Sequence, residues 1–174
     1  MNISKSLDIP GWMEPHDLEW LAIKASQHQR IVEVGCWAGR STTTLAENTN
    51  GVVFAVDTWL GSEEHQHNFE GKHPDWIYDI FLENMRPYIK ELKVMPVRMP
   101  SVDAARILNG ERFDMVFIDA SHDYESVYAD ILAWKPLCTR LLCGHDMGHP
   151  PIVQATQELL PGVRQEHSMW VYEI

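Results

Sequence analysis

Short runs of β-branched and other apolar residues alternate along the chain with longer stretches in which apolar residues recur at helical spacing. Strands that alternate with helices in this way are typical of a parallel sheet covered by helices. We therefore expect an α/β fold: a mostly parallel seven-stranded sheet with a C-terminal antiparallel hairpin and helices on both faces. The predicted strands are Ile31–Val34, Val52–Val56, Val94–Arg98, Met115–Ile118, Cys138–Cys143, Val163–Glu166 and Met169–Glu173.

The helices are predicted from the apolar period and from residues that start or stop a helix. Proline suits the first helical turn, so Pro15 begins a helix inside an N-terminal helical segment, residues 1–29. Ser101 is predicted to cap a helix through Leu108. Because residues before proline avoid the α region, the helix from about Asp75 is predicted to end near Pro87. Further helices are predicted to begin near Arg40, Tyr124 and Ile152.

One stretch, Gly61–Pro74, follows neither the strand period nor the helix period. It is polar and contains His65, His67 and His73. Unstructured loops of this length are usually functional or disordered, and we interpret this one as a lid loop over the carboxyl edge of the sheet. A zinc site on its histidines is the alternative, although their spacing matches no recognised ligand pattern.

Composition narrows the class of protein. The 174 residues, 45% of them hydrophobic, suffice for one buried core, so 1–174 is treated as a single domain. A net charge of −11 would repel a phosphate backbone, and we expect no nucleic-acid partner. No apolar run approaches the roughly 20 residues that span a bilayer, so we expect a cytoplasmic protein with no membrane partner. Cys36, Cys138 and Cys143 are predicted to be reduced core thiols.

Polar residues gather where the predicted strands end, which is where open parallel sheets bind ligands. After the first strand comes Glu33-Val34-Gly35-Cys36-Trp37-Ala38-Gly39, in which glycine lets the backbone approach a ligand closely. Ser41 follows at a helix start, where a hydroxyl and free N–H groups can hold a carboxylate. Asp57 ends the second strand and is placed to accept hydrogen bonds from both hydroxyls of a ribose. Together these residues predict a nucleoside-containing cofactor.

Glycine spacing distinguishes the possible nucleoside cofactors. A dinucleotide site needs G-x-G-x-x-G so that a pyrophosphate can lie on the helix start, whereas Cys36 and Trp37 occupy this turn. S-adenosylmethionine has no phosphate and tolerates side chains there, so it is the predicted cofactor. The alternative is that Gly35 and Gly39 only form a tight turn.

Two further residues are candidates for contact with the adenine ring. Trp59 follows Asp57 and Thr58, and its indole suits either the adenine face or the protein core. Ser101 lies at the end of the third strand, where its hydroxyl suits either adenine or a helix cap.

A second set of polar residues follows the fourth and fifth strands. Adjacent parallel strands lie about 4.8 Å apart, so Asp119 and Asp146 are expected to converge on one divalent cation such as Mg²⁺. The cation would bind a substrate hydroxyl and lower its pKa. His122 would accept the proton, because the ordinary pKa of imidazole suits that task near neutrality. The alternative is that Asp119 and Asp123 cap the next helix and that His122 is a solvated loop residue.

These motifs resemble those of the class I S-adenosylmethionine-dependent methyltransferases, which have a Rossmann-like fold. The likeness is carried by Val32–Ser41, Val56–Trp59, Phe113–Asp119 with His122 and Tyr124, and Gly144–Asp146. It is strongest toward the macrocin-type and mycinamicin-type sugar O-methyltransferases, rhamnosyl O-methyltransferases and cephalosporin hydroxylase-like proteins, with catechol O-methyltransferase more distant.

The resemblance implies a set of site residues. Catalysis is expected from His122 and Asp119, and metal binding from Asp119, His145 and Asp146. The residues expected to bind the cofactor are Glu33, Gly35, Trp37, Gly39, Ser41, Asp57, Thr58, Trp59, Ser101 and Asp119. His145 departs from the family pattern, since those enzymes tend to carry an acid there. The chain also lacks the long N-terminal extension of larger relatives, so the acceptor pocket is expected from Gly61–Pro74, from Met147–Pro151 or from a second subunit.

The leading functional hypothesis is metal-assisted methyl transfer to a hydroxyl of a small molecule, a sugar or natural product with a vicinal diol. A homodimer is a possible assembly. Two alternatives share the fold: a methyltransferase that needs no metal, and a regulatory protein that binds S-adenosylmethionine or S-adenosylhomocysteine without catalysis. A histidine-cluster metallohydrolase is a further alternative.

Overall fold

The computed structural model describes the backbone of residues 1–174 and every side chain except those of 63–65. The chain forms a seven-stranded sheet in the order β3-β2-β1-β4-β5-β7-β6. Strands β1 to β5 pair in parallel, while β7 pairs antiparallel with β5 and with β6. The predicted sheet and hairpin are thereby confirmed. The strands are β1 Arg30–Val34, β2 Val52–Asp57, β3 Val94–Arg98, β4 Phe113–Ile118, β5 Cys138–Gly144, β6 Arg164–Glu166 and β7 Met169–Glu173.

Helices cover both faces of the sheet, as the apolar period predicts. They are α1 Ser4–Leu7, α2 Pro15–Ala25, α3 Arg40–Asn48, α4 Trp76–Lys90, α5 Ser101–Ile107, α6 Tyr124–Trp134 and α7 Pro150–Leu159, with 3₁₀ helices at Glu63–Phe69 and Lys135–Leu137. One apolar core joins α2, α3 and α4 to the sheet, and a second joins α5, α6 and α7 to the opposite face. Within the described part of the chain, no helix is long and apolar enough to cross a membrane.

The strand order reverses at β1, which lies between β2 and β4. Such a switch point opens a crevice at the carboxyl ends of the strands, because the connections leave in opposite directions. Gly35 follows β1 at this crevice and donates its N–H to the carbonyl of Val56 at 2.9 Å. The N–H of Asp119 donates to the carbonyl of Val34 at 2.8 Å. The polar residues after β1, β2 and β4 therefore meet at one edge.

Two helix predictions were wrong. The helix from Trp76 does not end near Pro87 but continues to Lys90, with Pro87 in its last turn. Pro87 is exposed, so water can solvate the carbonyl group that loses its helical partner, and buried Tyr88 holds the last turn on the core. Ser101 does not cap α5: its hydroxyl accepts a hydrogen bond from Trp134 Nε1 at 2.8 Å, and the cap position is Pro100.

The segment predicted as a lid loop without regular structure contains a 3₁₀ helix, Glu63–Phe69. Phe69 packs edge-on against Trp37 and Trp76, with ring centroids 5.8 and 5.7 Å apart. The side chain of His65 lies outside the described residues. His73 is 3.7 Å from Asp79, and neither His67 nor His73 joins a metal-type cluster among the described side chains.

The three cysteines behave as predicted. Cys36, Cys138 and Cys143 are buried and free. Burial raises the pKa of each thiol, which keeps the sulfur protonated and unreactive.

Two glycine-to-alanine variants test whether the residues that follow β1 and β4 lie as close together as the structure shows. Gly35 has φ +88°, and an added β-carbon would lie 2.1 Å from the carbonyl oxygen of Asp119. We expect Gly35→Ala to lower the free energy of unfolding by at least about 3 kcal/mol in urea titrations. Gly110→Ala is the control, since its β-carbon meets no atom within 4 Å. Equal stability of the two variants would contradict this account.

Candidate active site

A cavity of about 770 Å³ opens at the carboxyl edge of the sheet. Its wall combines the ends of β1 to β5 with the N-terminal residues Pro10 to Met13 and with part of α6. Predicted site residues that line it are Gly35, Trp37, Ser41, Asp57, Thr58, Ser101, Asp119, His122, His145 and Asp146. Glu33, Gly39 and Trp59 are absent from the wall that the structure describes.

Asp57 holds the loop after β1 in place. Its Oδ2 accepts hydrogen bonds from the N–H groups of Cys36 at 2.7 Å and Trp37 at 3.0 Å. Its Oδ1 accepts one from the N–H of Trp59 at 2.7 Å. One carboxylate thus ties two loops together beside the cavity. A carboxylate has about four lone-pair sites, so these three bonds leave acceptor capacity facing the cavity.

The three hydrogen bonds that Asp57 accepts form a clamp, the Asp57 clamp, which stabilises an unusual backbone in the loop after β1. Gly35, Trp37 and Gly39 have φ of +88°, +47° and +93°. A left-handed conformation is costly for a tryptophan and persists only where the surroundings fix it. The carbonyl of Trp37 accepts a hydrogen bond from Trp59 Nε1 at 2.9 Å. An added β-carbon at Gly39 would lie 2.8 Å from Met85 Cε, so Gly39 serves packing against α4.

Trp59 is a core residue and not part of the cavity wall. Its side chain is 0% exposed and packs against Tyr78 and Phe81, with ring centroids 4.7 and 4.6 Å away. From the sequence alone, both contact with the adenine face and a position in the core were possible for Trp59. The structure places it in the core, where its indole supports the loop through Trp37.

Glu33 lies beneath the cavity and does not line it. The side chain is 0% exposed and accepts a hydrogen bond from Thr42 Oγ1. Burial raises the pKa of Glu33 to about 7, although the hydroxyls of Ser41 and Thr42 oppose the shift. Ser41 itself reaches the cavity at the start of α3, where the helix leaves N–H groups free to bind an anion.

The N-terminal segment closes one side of the cavity, which sequence reasoning missed. Arg40 donates from Nε to the carbonyl of Met13 at 3.0 Å and from Nη1 to the carbonyl of Ile9 at 2.9 Å. Trp12 packs against Trp37 with ring centroids 5.1 Å apart. A basic residue at the start of a helix interacts unfavourably with the helix dipole. This feature of the sequence could have indicated that Arg40 has a tertiary role.

A second cluster of charged residues lies at the ends of β4 and β5. Asp119, His145 and Asp146 each offer one ligand atom, and these atoms lie within 4.8 Å of one another. His145 Nδ1 is 3.0 Å from Asp146 Oδ2 and 3.8 Å from Asp119 Oδ1. His122 Nε2 is 3.2 Å from Asp146 Oδ2. The structure therefore brings together all four residues that the sequence predicted for chemistry.

Asp17 supports this cluster from α2, and no sequence signal identified it. Its side chain is buried, and Oδ2 lies 3.3 Å from His145 Nε2. Ser168, in the turn between β6 and β7, donates its hydroxyl to Oδ1 of the same carboxylate. Asp17 thus fixes the far side of the His145 ring while the near side faces Asp146.

Charge and burial shift the pKa values of the cluster in opposite directions. Burial alone would lower the pKa of His145, but the hydrogen bond to Asp146 and the nearby charge of Asp119 raise it to about 9. Burial would raise the pKa of Asp146, yet hydrogen bonds from His122 and His145 hold it well below its usual range. Burial raises the pKa of Asp119. At neutral pH, His145 is therefore an imidazolium beside the Asp146 carboxylate.

The helix cap after β4 is Asp123 and not Asp119. Asp123 Oδ1 accepts a hydrogen bond from the N–H of Ser126 at 2.9 Å, which confirms the capping interpretation for that residue. Asp119 instead lies in the cavity wall beside His145. The two acids that the sequence could not separate thus have different roles.

The mostly parallel sheet, its switch-point cavity and the glycine loop held by Asp57 define an α/β domain with a ligand-sized cavity at the carboxyl edge of the sheet. Residues 32–146 match the model of a family described as methyltransferase domain, and the chain belongs to that family. The match spans β1 to β5 and includes Asp57, Asp119, His145 and Asp146.

Solved structures share this fold at low sequence identity. An O-methyltransferase from Bacillus cereus in complex with SAH is 18% identical, with a TM-score of 0.69 over 99% of this chain and 90% of its own. A SAM-dependent O-methyltransferase from Thermotoga maritima is 16% identical, with a TM-score of 0.64 over 94% of this chain and 59% of its own. Cofactor-bound Rv0187 from MTB is 20% identical, with a TM-score of 0.65 over 93% of this chain and 78% of its own.

A curated relative is uncharacterised protein y4gI of Sinorhizobium fredii, strain NBRC 101917 / NGR234. It is 27% identical over a match of 143 residues that covers 75% of this chain. The chain spans only 15% of the length of that relative.

The buried Glu33 predicts a pH dependence of stability. Its pKa is about 7 in the folded protein against an ordinary 4.5, so between these values the unfolded chain releases a proton that the folded protein keeps. Stability from this group therefore falls as pH rises from 4.5 to 7, by about 3 kcal/mol. We expect the free energy of unfolding of Glu33→Gln, taken relative to that of the wild type, to rise progressively as the pH increases across this window. Chemical denaturation at several pH values measures this difference.

Glu19→Gln is the matched control, because Glu19 is exposed on α2. Its stability relative to the wild type should stay nearly constant over the same pH range. A constant difference for Glu33→Gln as well would show that Glu33 is ionised in the folded protein throughout.

Proposed function

We propose that this chain binds S-adenosylmethionine and transfers its methyl group to a hydroxyl of a small molecule, a sugar or natural product. The observation that carries the proposal is that one cavity joins the Asp57-clamped loop to the cluster of Asp119, His122, His145 and Asp146. The first feature suits a nucleoside cofactor and the second suits proton removal from an acceptor. Membership of the methyltransferase family supports the proposal.

The cavity suits a sulfonium nucleoside better than a phosphorylated one. Asp57 offers acceptor capacity to ribose hydroxyls, and Ser41 with the start of α3 offers donors to the methionine carboxylate. Among the described lining residues, Arg40 is the sole arginine or lysine, and its guanidinium already donates to two carbonyl groups. The acids Asp57, Asp119 and Asp146 instead favour a cationic ligand, which a methyl sulfonium is.

The acceptor hydroxyl is proposed to meet the cluster at β4 and β5. Asp119, His145 and Asp146 would hold a divalent cation such as Mg²⁺, which lowers the pKa of a bound hydroxyl. Asp146 orients the His122 ring through Nε2, as a carboxylate does for a general base. The oxygen attacks the methyl carbon as His122 takes its proton, and the C–S bonding pair returns to sulfur.

A second candidate function is methyl transfer without a metal. The contacts of His145 favour it, because one ring nitrogen faces Asp17 and the other faces Asp119 and Asp146, which stabilises a proton on each nitrogen. A metal would have to displace that proton before Nδ1 could act as a ligand. His145 would then stabilise the developing alkoxide directly, with His122 again as the base.

The wall of the cavity suggests where the acceptor binds. Gly61 and Ser62 of the predicted lid loop line it, as do His149 and the N-terminal residues Trp12 and Met13. We propose that these elements enclose the acceptor, with or without a second subunit. The net charge of −11 favours a small-molecule acceptor over nucleic acid.

Cofactor binding is tested by calorimetry with S-adenosylhomocysteine. We expect Asp57→Asn to lower the affinity at least about tenfold, because the amide cannot accept all the bonds that the carboxylate accepts. Asp114→Asn is the matched control: Asp114 also accepts two backbone N–H groups, those of Gln29 and Arg30, but at the opposite edge of the sheet. Equal affinities in the two variants would argue against the proposed ribose site.

Catalysis is tested on a panel of sugar and phenol acceptors by measuring S-adenosylhomocysteine release. We expect His122→Ala to retain cofactor affinity and to lose turnover by about 10²- to 10⁴-fold, the usual contribution of a general base. His73→Ala, which changes an exposed histidine, should retain both. Excess chelator should abolish wild-type turnover; turnover that survives it selects the metal-independent candidate. Full turnover of His122→Ala would exclude this base.

A further inference from the structure

A buried acid lies in the cavity wall away from the proposed chemistry. Asp130, on α6, is 6% exposed and lines the cavity together with Ser101 at the start of α5. Neither the methyl-transfer cluster nor the Asp57 clamp uses it. A carboxylate this deeply buried is costly unless donors surround it.

The donor that the structure shows for Asp130 is the hydroxyl of Ser101. Trp134 Nε1 donates to Ser101 Oγ at 2.8 Å, so the hydroxyl hydrogen of Ser101 is directed to another acceptor. That acceptor is the Asp130 carboxylate. Burial nevertheless raises the pKa of Asp130 to about 6, because the Ser101 hydrogen bond offsets only part of the desolvation. The carboxylate lines the cavity and has about four lone-pair sites, so it can accept a further hydrogen bond from a ligand there.

Position along the sheet indicates what donor would complete this site. The strand order places β3 at one end of the cavity, β2 and β1 in the middle, and β4 and β5 at the other end. Asp57 ends β2, while Asp119 and Asp146 follow β4 and β5. A nucleoside with its ribose at Asp57 and its sulfur toward Asp119 must extend its base toward β3, where Ser101 and Asp130 lie.

We propose that Asp130 is a specificity residue that accepts a hydrogen bond from the exocyclic 6-amino group of the adenine ring. The inference rests on the proposed function, since it takes the ligand to be an adenosyl compound. Met99 and Val102 supply apolar wall on the same side of the cavity, which suits the faces of a purine. Ser101, bonded to Trp134, acts as a positioning residue that fixes the carboxylate.

The experiment measures binding of two ligands by calorimetry: S-adenosylhomocysteine and its analogue with hydrogen in place of the purine 6-amino group. The wild type should bind the amino form about 10- to 100-fold more tightly, the range for a hydrogen bond to a charged group. In Asp130→Leu this ratio should fall below about threefold, and in Asp130→Asn it should be intermediate, since a neutral amide oxygen is a weaker acceptor. Asp103→Asn, on the exposed side of α5, should keep the wild-type ratio.

The outcomes separate this inference from the proposed function. If the wild type binds neither compound, the proposed function fails and the inference fails with it. If S-adenosylhomocysteine binds but the ratio is unchanged in both Asp130 variants, the cofactor assignment stands and the role of Asp130 is overturned. Thermal unfolding of each variant verifies folding, and the asparagine variant preserves the test if the leucine variant does not fold.

Discussion

The three hydrogen bonds that Asp57 accepts determine the shape of the site. They join the loop after β1, through Cys36 and Trp37, to the turn after β2, through Trp59. The loop could otherwise relax from its left-handed conformation and fill the crevice with the Trp37 side chain. A strained loop is stable here because one ionised side chain satisfies several backbone donors at once. The open cavity is thus a consequence of electrostatics at the end of β2.

Acidic residues line the cavity at several places along the sheet, and the ring of His145 lies among the acids at one of them. Asp57 lies at its middle, Asp130 at the β3 end, and Asp119 with Asp146 at the β5 end, where His145 carries the compensating charge. The acids differ in environment, because Asp57 accepts backbone N–H groups, Asp130 is buried beside Ser101, and Asp146 faces two histidine rings. Carboxylates in different environments within one cavity can serve different roles, and the roles proposed here are binding a cation, recognising the adenine ring and assisting proton removal.

The sequence predicted the parts of the fold that local chemistry determines. Strand positions followed from β-branched runs, and the carboxyl-edge residues Asp119, His122 and Asp146 met because parallel strands end together. The errors arose where tertiary packing overrides a local rule. Buried Tyr88 keeps α4 helical beyond Pro87, and Trp134 donates a hydrogen bond to the Ser101 hydroxyl that was predicted to cap α5. Asp17 and Asp130 were not predicted because each is an ordinary polar residue of a helix whose role depends on partners distant in the sequence. Arg40 was missed although its charge is unfavourable at the start of a helix. The stronger likeness to macrocin-type and mycinamicin-type sugar O-methyltransferases and cephalosporin hydroxylase-like proteins stays a prediction.

The central claim is the proposal that one groove binds an adenosyl compound, with Asp57 at its middle beside the ribose and Asp119 toward the end where the sulfur lies. A crystal structure with S-adenosylhomocysteine tests it most directly. The account predicts ribose hydroxyls within hydrogen-bond distance of Asp57 and the sulfur facing Asp119 and His122. Density for the ligand outside this cavity, or a ribose remote from Asp57, would contradict it.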